Sequence, residues 1–237
     1  MLLVLAAALA GCSTGPPTAD PPAGSGIRLT ATMTTPKDVR LTWSGAEPGA
    51  AGHIVEYATS PGGEYTILQF APLAQTTYEH PDLMPDTTFY YRLRPFYGPA
   101  SAPVELTMPS GPLDGSAHED DSSWADPRTV PGGPPATASI RDASAAAGAT
   151  PTNLRAVVVR GDGVKLTWTD NAADEEGYLI EVKGQAAADF SVAAVVGRDV
   201  NSVGMVTVDG ESRAAYRVRP YYYGTPSNVV HEKTGQG

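Results

Sequence analysis

The sequence predicts an all-β protein made of two antiparallel β-sandwiches joined by a long disordered linker. The segment Tyr91–Ser101 (YRLRPFYGPAS) returns almost unchanged as Tyr216–Ser227 (YRVRPYYYGTPS), and two copies of so unusual a segment indicate a duplicated unit. Short runs alternate apolar and polar residues, as half-buried strands do. The chain also has 25 glycines and 22 prolines, which supply turns between such strands.

The first unit is predicted to span residues 27–108. In its run VRLTWS, Val39, Leu41 and Trp43 share one face of a strand, and polar side chains occupy the other. Similar short runs follow, separated by turns that contain Gly or Pro, and SAPVELTM closes the unit. This succession of strands and turns is typical of an antiparallel sandwich.

The second unit is predicted to span residues 151–231, with residues 232–237 as a tail. A displacement of 125 positions places the first unit on the second, and the register holds as far as the extra Tyr223. The displacement carries the buried-face residues of VRLTWS onto Val164, Leu166 and Trp168. The second unit is therefore predicted to repeat the fold of the first.

Each unit resembles a fibronectin type III domain of the bacterial kind. The resemblance rests on Val39–Trp43, on His53–Tyr57 (HIVEY) and on Leu83–Leu93 (LMPDTTFYYRL), which is similar to the family pattern L-x-P-G-T-x-Y-x-x-R-V. It implies two immunoglobulin-like sandwiches. Both units depart from the family at the tyrosine corner, where Phe89 and Ala214 replace the usual Tyr, so packing must hold the corner.

The N-terminus predicts export and lipid anchoring. Residues 1–11 have the short apolar run and small residues of a signal peptide, although no Lys or Arg precedes the run. Leu9–Cys12 (LAGC) resembles a bacterial lipobox, which implies that Cys12 is lipidated with palmitate-type acyl chains and inserted in a membrane of the cell envelope. Under enterobacterial-type sorting, the following Ser13 indicates the outer membrane. Residues 12–26 are predicted to form a Pro/Gly-rich tether.

Residues 109–150 are predicted to be a disordered acidic linker. They contain six acidic residues and two arginines, with almost no β-branched or aromatic pattern that would bury apolar surface. Trp124 is the exception. Its simpler interpretation is an isolated aromatic residue in a disordered stretch, and the alternative is docking onto a domain or a partner.

No catalytic, cofactor or metal site is predicted, and the chain is not expected to be an enzyme. The net charge of −10 disfavours nucleic acid as a partner. The four histidines are scattered along the sequence, without a nucleophile and base in a known pattern. The acidic run Thr169–Tyr178 lacks the spacing of a calcium-binding EF-hand loop, so it is interpreted as a structural loop.

Aromatic residues at the end of each repeated segment are the candidate binding surface: Phe96, Tyr97, Tyr221, Tyr222 and Tyr223. Alternation along a strand buries only some of them, and exposed aromatic rings stack on sugars or anchor protein interfaces. Packing over the end of each sandwich is the alternative interpretation.

Two further features of the repeated segment carry structural predictions. Pro95 and Pro220 lack the N–H that a central strand needs, so regular pairing is expected to stop before them or to bulge there, which would turn the following aromatics away from the sheet. Cross-strand ion pairs on the solvent face are expected between Glu56 and Arg92 or Arg94, and between Glu181 and Arg217 or Arg219.

Together these features predict a non-catalytic, lipid-anchored envelope protein. Its two sandwiches would bind another envelope protein or a cell-surface glycan, with the membrane contacted through Cys12. The alternative is a structural spacer or accessory subunit of an exported envelope assembly.

Overall fold

The computed structural model describes residues 26–108, 123–159, 163–206 and 212–236. The predicted signal peptide, Cys12 and all of the tether except Gly26 lie outside the described residues, as do residues 109–122. The prediction of lipid anchoring therefore stays a prediction.

The predicted all-β fold with antiparallel sheets is confirmed. The described residues contain a single short 3-10 helix, Ala146–Ala149, beside the strands. The first repeat contributes the strands β1 (Ile27–Thr35), β2 (Asp38–Gly45), β3 (Gly52–Ala58), β4 (Thr66–Ala71), β5 (Thr77–His80), β6 (Thr88–Tyr97) and β7 (Val104–Thr107). The second contributes β8 (Thr152–Val158), β9 (Gly163–Thr169), β10 (Gly177–Gly184), β11 (Ser191–Gly197), β12 (Ser202–Val206), β13 (Arg213–Tyr223) and β14 (Val230–Lys233).

The strands form two small sheets and one large sheet. One small sheet has the order β1-β2-β5, and its counterpart in the second sandwich has the order β12-β9-β8. The large sheet has eight strands: β11-β10-β13-β6-β3-β4 in sequence, with β14 beside β6 and β7 beside β13. Each small sheet covers one half of the large sheet, so two sandwiches share a continuous layer.

The last strand of each repeat is exchanged. Strand β7, from the first repeat, pairs with β13 of the second, with Val104 opposite Tyr216. Strand β14, from the second repeat, pairs with β6 of the first, with Val230 opposite Tyr91. Val230 accordingly belongs to the first hydrophobic core, and Val104 packs against the second.

This exchange differs from the predicted domain boundaries of 27–108 and 151–231. Of the predicted tail, 232–237, the described residues 232–236 include the end of β14 and continue along the first sandwich. There the Thr234 hydroxyl accepts a hydrogen bond from the Thr87 amide at 2.9 Å. A strand of four alternating residues fits the edge of either sheet, so its own pattern does not decide which sandwich receives it.

Both cores follow the predicted alternation. Val39, Leu41 and Trp43 are buried in the first core with Leu93 and Val230. Their counterparts Val164, Leu166 and Trp168 are buried in the second core. At the corner that lacks its usual Tyr, the Phe89 ring is buried and stacks on the Tyr91 ring, with centroids 6.4 Å apart. Apolar packing thus replaces the missing hydroxyl bond in the first sandwich.

Residues 123–150, which fall within the predicted linker 109–150, make contacts with the second sandwich. The Trp124 ring lies over two strands at positions without side chains: a Cβ at Gly163 would come within 2.6 Å of the ring, and one at Gly204 would collide with it. The docking interpretation of Trp124 therefore applies. The sequence did not signal this contact because two glycines, rather than an apolar pattern, make room for the indole.

Further along, backbone bridges hold the same segment to the start of β12 and to the loop between β9 and β10. Arg128 pairs with Ser202, and Ala138 pairs with Ala172. Ile140 and Ala149 are buried together with Ala172 in a small apolar cluster of their own. Isolated bridges of this kind have no strand-like period, so alternation does not reveal them.

Candidate functional site: the contact between the two sandwiches

The five aromatic residues predicted as a binding surface meet at one place. Strands β6 and β13 pair there in antiparallel fashion over two residues, with Tyr97 opposite Tyr222 and Phe96 opposite Tyr223. Tyr221 lies directly before this pair on β13. The ends of the two repeated segments therefore join the two sandwiches into one sheet.

A buried apolar cluster fills this junction. It consists of Phe96, Tyr221, Ile54 from β3 and Leu179 from β10, and Phe70 packs edge-on against both aromatic rings, with centroid distances of 5.7 and 6.4 Å. Ile54 and Leu179 occupy equivalent positions in the two repeats, on the face opposite each sandwich core. The two sandwiches thus cover each other's outer faces.

The burial corrects the prediction for two of the five residues. Phe96 is 3% exposed and Tyr221 is 5% exposed, so neither presents a face to an outside ligand. Burying a large apolar side chain contributes about 1.5–3 kcal/mol to folding, and here that energy stabilises the junction. Phe96 and Tyr221 are each covered by residues of the other repeat.

The remaining three rings are half-buried at the rim of the junction. Tyr97 and Tyr222 stack with centroids 5.1 Å apart and planes 17° apart. The Arg94 guanidinium lies 4.6 Å from the centroid of Tyr223, and that of Arg141 lies 4.9 Å from the centroid of Tyr222. Cations over aromatic faces stabilise such contacts and occupy part of the surface that a sugar would need.

The predicted ion pairs form, but the two glutamates are not on a solvent face. The Glu56 carboxylate lies 2.6 Å from Arg92 and 3.4 Å from Arg94, with a side chain only 5% exposed. Glu181 makes the equivalent contacts with Arg217 and Arg219 at 2.5 and 3.3 Å, and its side chain is 6% exposed. The two glutamates are buried because the sandwiches cover each other's outer faces at the junction.

The arginines are themselves tied to aromatic rings and to the other repeat. Arg92 lies 3.8 Å from the centroid of Tyr65, and Arg217 lies 4.1 Å from that of Phe190. Arg219 also donates a hydrogen bond to the carbonyl of Gly98 in the first repeat at 2.6 Å. Its burial lowers the pKa of the Arg219 guanidinium, and the nearby Glu181 opposes that shift.

Pro95 and Pro220 neither end nor bulge their strands, contrary to the prediction. Pairing of β6 with β3 continues through Pro95 to Phe96, and pairing of β13 with β10 continues through Pro220 to Tyr221. The Pro95 carbonyl accepts a hydrogen bond from Gly224, on the side away from β3. A residue's N and C=O point to the same side of an antiparallel strand, so the missing N–H leaves the ladder with β3 intact.

A second polar cluster lies in the second sandwich, where Asp170, Glu175 and Asp199 bring carboxylate oxygens within 4.8 Å of one another. Asp170 follows β9, Glu175 precedes β10, and Asp199 lies in the loop between β11 and β12. Sequence reasoning considered the first two within the acidic run 169–178. It missed Asp199, because only the fold brings that loop beside the others.

The described histidines occupy separate places. His53 is buried at the start of β3 beside Trp43, with ring centroids 6.3 Å apart. The His80 ring lies 3.2 Å from the Tyr91 hydroxyl, and His231 lies against Tyr90 at the sheet surface. Burial lowers the pKa of both His53 and His80. His118 lies outside the described residues.

No family model matches the chain, and no curated protein resembles its sequence. Solved structures with fibronectin type III domains are similar to it at low identity. Domains FN1–FN3 of chicken CNTN1 are 16% identical, with 93% of this chain and 69% of that chain covered and a TM-score of 0.28. A two-domain segment of chicken tenascin is 13% identical, with 88% and 100% covered and a TM-score of 0.27.

A myokine structure is also similar, at 13% identity and a TM-score of 0.25, with 32% of this chain and 77% of that chain covered. Similarities of this size carry no argument about function. The strand order identifies the fold, since each three-stranded sheet faces a four-stranded half of the large sheet that the exchanged strand completes. The chain therefore consists of two fibronectin type III-like sandwiches.

Proposed function

We propose that this chain is a lipid-anchored envelope protein that presents two joined sandwiches as one rigid unit for binding another envelope protein, without catalysis. The observation that carries the proposal is the shared eight-stranded sheet with its reciprocally exchanged last strands. A connection of this kind opposes hinge motion between the sandwiches, because bending would break backbone pairing on both sides of the junction.

The anchor rests on the lipobox-like Leu9–Cys12 and the Pro/Gly-rich stretch that follows. Several acyl chains on Cys12 would give stable membrane attachment, and an extended tether would hold the sandwiches ~20–40 Å from the surface. Within the described ranges, no helical segment combines the length and apolar composition that a membrane crossing requires.

A protein partner is favoured over a glycan by the burial at the junction. Phe96 and Tyr221 are covered, and an arginine lies over one face of Tyr222 and one face of Tyr223. A sugar platform needs open aromatic faces. The rigid junction also supports the second candidate, a spacer or accessory subunit, because such a subunit holds two modules at a fixed distance.

Cross-linking in intact cells, followed by mass spectrometry, tests the proposal. We expect one recurrent envelope protein cross-linked to the wild-type chain, and release of the Cys12→Ala variant from the membrane fraction. Membrane retention of Cys12→Ala would contradict the anchor. Cross-links without a recurrent partner would contradict protein binding.

Two further measurements separate the alternatives. In cells that lack this protein, the partner's complex should still assemble if the protein only binds it. If the protein is a spacer or accessory subunit, the complex should fall apart. Retention of the purified wild type on cell-wall polysaccharide, lost in folded Tyr222→Ala and Tyr223→Ala variants, would instead establish the glycan interpretation.

A further inference from the structure

The acidic cluster of the second sandwich brings three carboxylates together. Their oxygens lie within 4.8 Å of one another. In the described part of the chain, none of the ion pairs involves Asp170, Glu175 or Asp199. Like charges at this separation repel one another, most strongly where water is excluded.

Glu175 provides an independent indication of a ligand. Its side chain is fully buried, at 0% exposure. One carboxylate oxygen accepts a hydrogen bond from the Asp199 amide at 3.1 Å, while the other is buried without a hydrogen-bond partner. A carboxylate oxygen removed from water without a donor or cation is costly, so such a group needs an explanation.

The first repeat shows that the fold does not require these carboxylates. At the positions equivalent to Asp170, Glu175 and Asp199, it has Gly45, Ala50 and Ala74. Both repeats nonetheless form the same sandwich with the same strand order. The second repeat therefore carries three converging acids that the architecture alone does not explain.

The site is accessible from an open cleft of about 640 Å³ lined by Asp170, Asp199, the end of β9, residues 129–134 and residue 136. Water can therefore complete a coordination shell on that side. Two hydrogen bonds hold the Asp170 carboxylate in place, one donated by the Tyr178 hydroxyl and one by the Ala172 amide. A protein-bound cation is held by carboxylates in fixed positions, and water from the cleft can fill its remaining coordination positions.

The segment that follows Trp124 spans the two loops that carry the carboxylates. The Thr129 hydroxyl donates to the Asp199 carbonyl at 2.8 Å, and Asn201 exchanges two hydrogen bonds with the Val130 backbone. At the other end, the Ile140 amide donates to the Asp174 carboxylate at 2.7 Å. The position of both loops therefore determines whether this segment can dock.

We propose that Asp170, Glu175 and Asp199 bind one calcium ion, and that this ion fastens residues 128–141 to the second sandwich. An all-oxygen donor set without His or Cys selects a hard cation over zinc or copper. Ligands drawn from separate loops give an irregular, expandable shell, which suits Ca²⁺ better than the strict octahedron of Mg²⁺.

Calorimetric titration of the chelator-treated full chain with CaCl₂ tests this site. We expect one Ca²⁺ per chain, a rise of several degrees in the melting temperature, and weaker binding of Mg²⁺. Glu175→Gln and Asp199→Asn should each reduce Ca²⁺ affinity at least tenfold. Asp199 is exposed, so Asp199→Asn should fold even if Glu175→Gln does not.

Asp189→Asn is the matched control, because Asp189 is an exposed acid of the same sandwich outside the cluster. It should bind Ca²⁺ like the wild type. Absence of stoichiometric binding to the wild type, unchanged binding by a folded Asp199→Asn variant, or equal affinity for Mg²⁺ would overturn the calcium site.

Limited proteolysis tests the role assigned to the ion. Ca²⁺ should slow cleavage within residues 128–141 at least tenfold in the wild type and in Asp189→Asn, but not in Asp199→Asn. Equal cleavage rates with and without Ca²⁺ in the wild type would show that the ion does not hold this segment.

Discussion

The hydroxyl oxygen of Ser227 accepts a hydrogen bond from the Leu93 amide at 2.9 Å, although 134 residues separate the two along the chain. The Ser227 amide in turn donates to the Leu93 carbonyl at 2.8 Å. Ser101 makes the same two contacts with Val218, so the arrangement is reciprocal. Each serine leads the exchanged last strand of its repeat onto the other sandwich.

Ser227→Ala should destabilise the protein by about 1–3 kcal/mol, because it leaves the buried Leu93 amide without its acceptor. Chemical denaturation measures the change in the free energy of unfolding. Ser101→Ala, which removes the equivalent acceptor from Val218, should have a similar effect. A change below about 0.5 kcal/mol in both variants would contradict this role.

Deletion of residues 229–237 should open the first sandwich rather than the second. Without β14, the strand β6 loses the pairing that extends from Thr88 to Tyr91. Hydrogen exchange with mass spectrometry should show lost protection in β6, while β13 retains its protection through β7. Loss confined to β13 would mean that the last strand belongs to its own repeat.

Glu56→Gln should cost about 3–5 kcal/mol, because it leaves Arg92 and Arg94 at a largely buried site without their counter-charge. The control is Glu79→Gln. Glu79 pairs with Arg40 on an exposed face, where an ion pair contributes about 0–1 kcal/mol. Equal effects of the two substitutions on the free energy of unfolding would refute the distinction.

Gly204→Ala should displace Trp124, because the added methyl group would collide with the indole ring. We expect a red shift of tryptophan emission and faster hydrogen exchange in residues 123–130. Gly133→Ala adds a methyl group where no atom beyond the adjoining residues lies within 4 Å, and it should leave both observables unchanged. An unshifted spectrum for Gly204→Ala would indicate that Trp124 does not dock there.

Lowering the pH from 7.5 to 5 should destabilise the first sandwich. Burial lowers the pKa of His53 and of His80, so the folded state binds fewer protons than the unfolded state. Stability is therefore present above the unfolded pKa, about 6.5, and falls as the pH drops through that value towards the folded pKa.

In the calcium-free protein, the second sandwich should respond in the opposite direction. Burial raises the pKa of the Asp170 and Glu175 carboxyls, so their protonation favours the folded state as the pH falls. Hydrogen exchange at both pH values resolves the two sandwiches. His53→Phe should weaken the acid sensitivity of β3, and an unchanged pH dependence in that variant would exclude His53 as a cause.

Much of the fold was predictable because alternation along a strand reports its core face. Val39, Leu41 and Trp43 show this directly, since all three are buried as predicted. The aromatic residues of the candidate site were also found from the sequence. Their burial was not predicted, because Phe96 is covered by residues of the other repeat, including Tyr221.

The sequence by itself determined the duplicated strands and the inward face of each sandwich, because these depend on neighbours a few residues away. Only the tertiary structure decided which sandwich each last strand completes, where Trp124 docks, and that Asp199 joins Asp170 and Glu175. Those outcomes depend on contacts between segments far apart in the chain. A short alternating strand, a pair of glycines or a single loop aspartate carries no local signal of its distant partner.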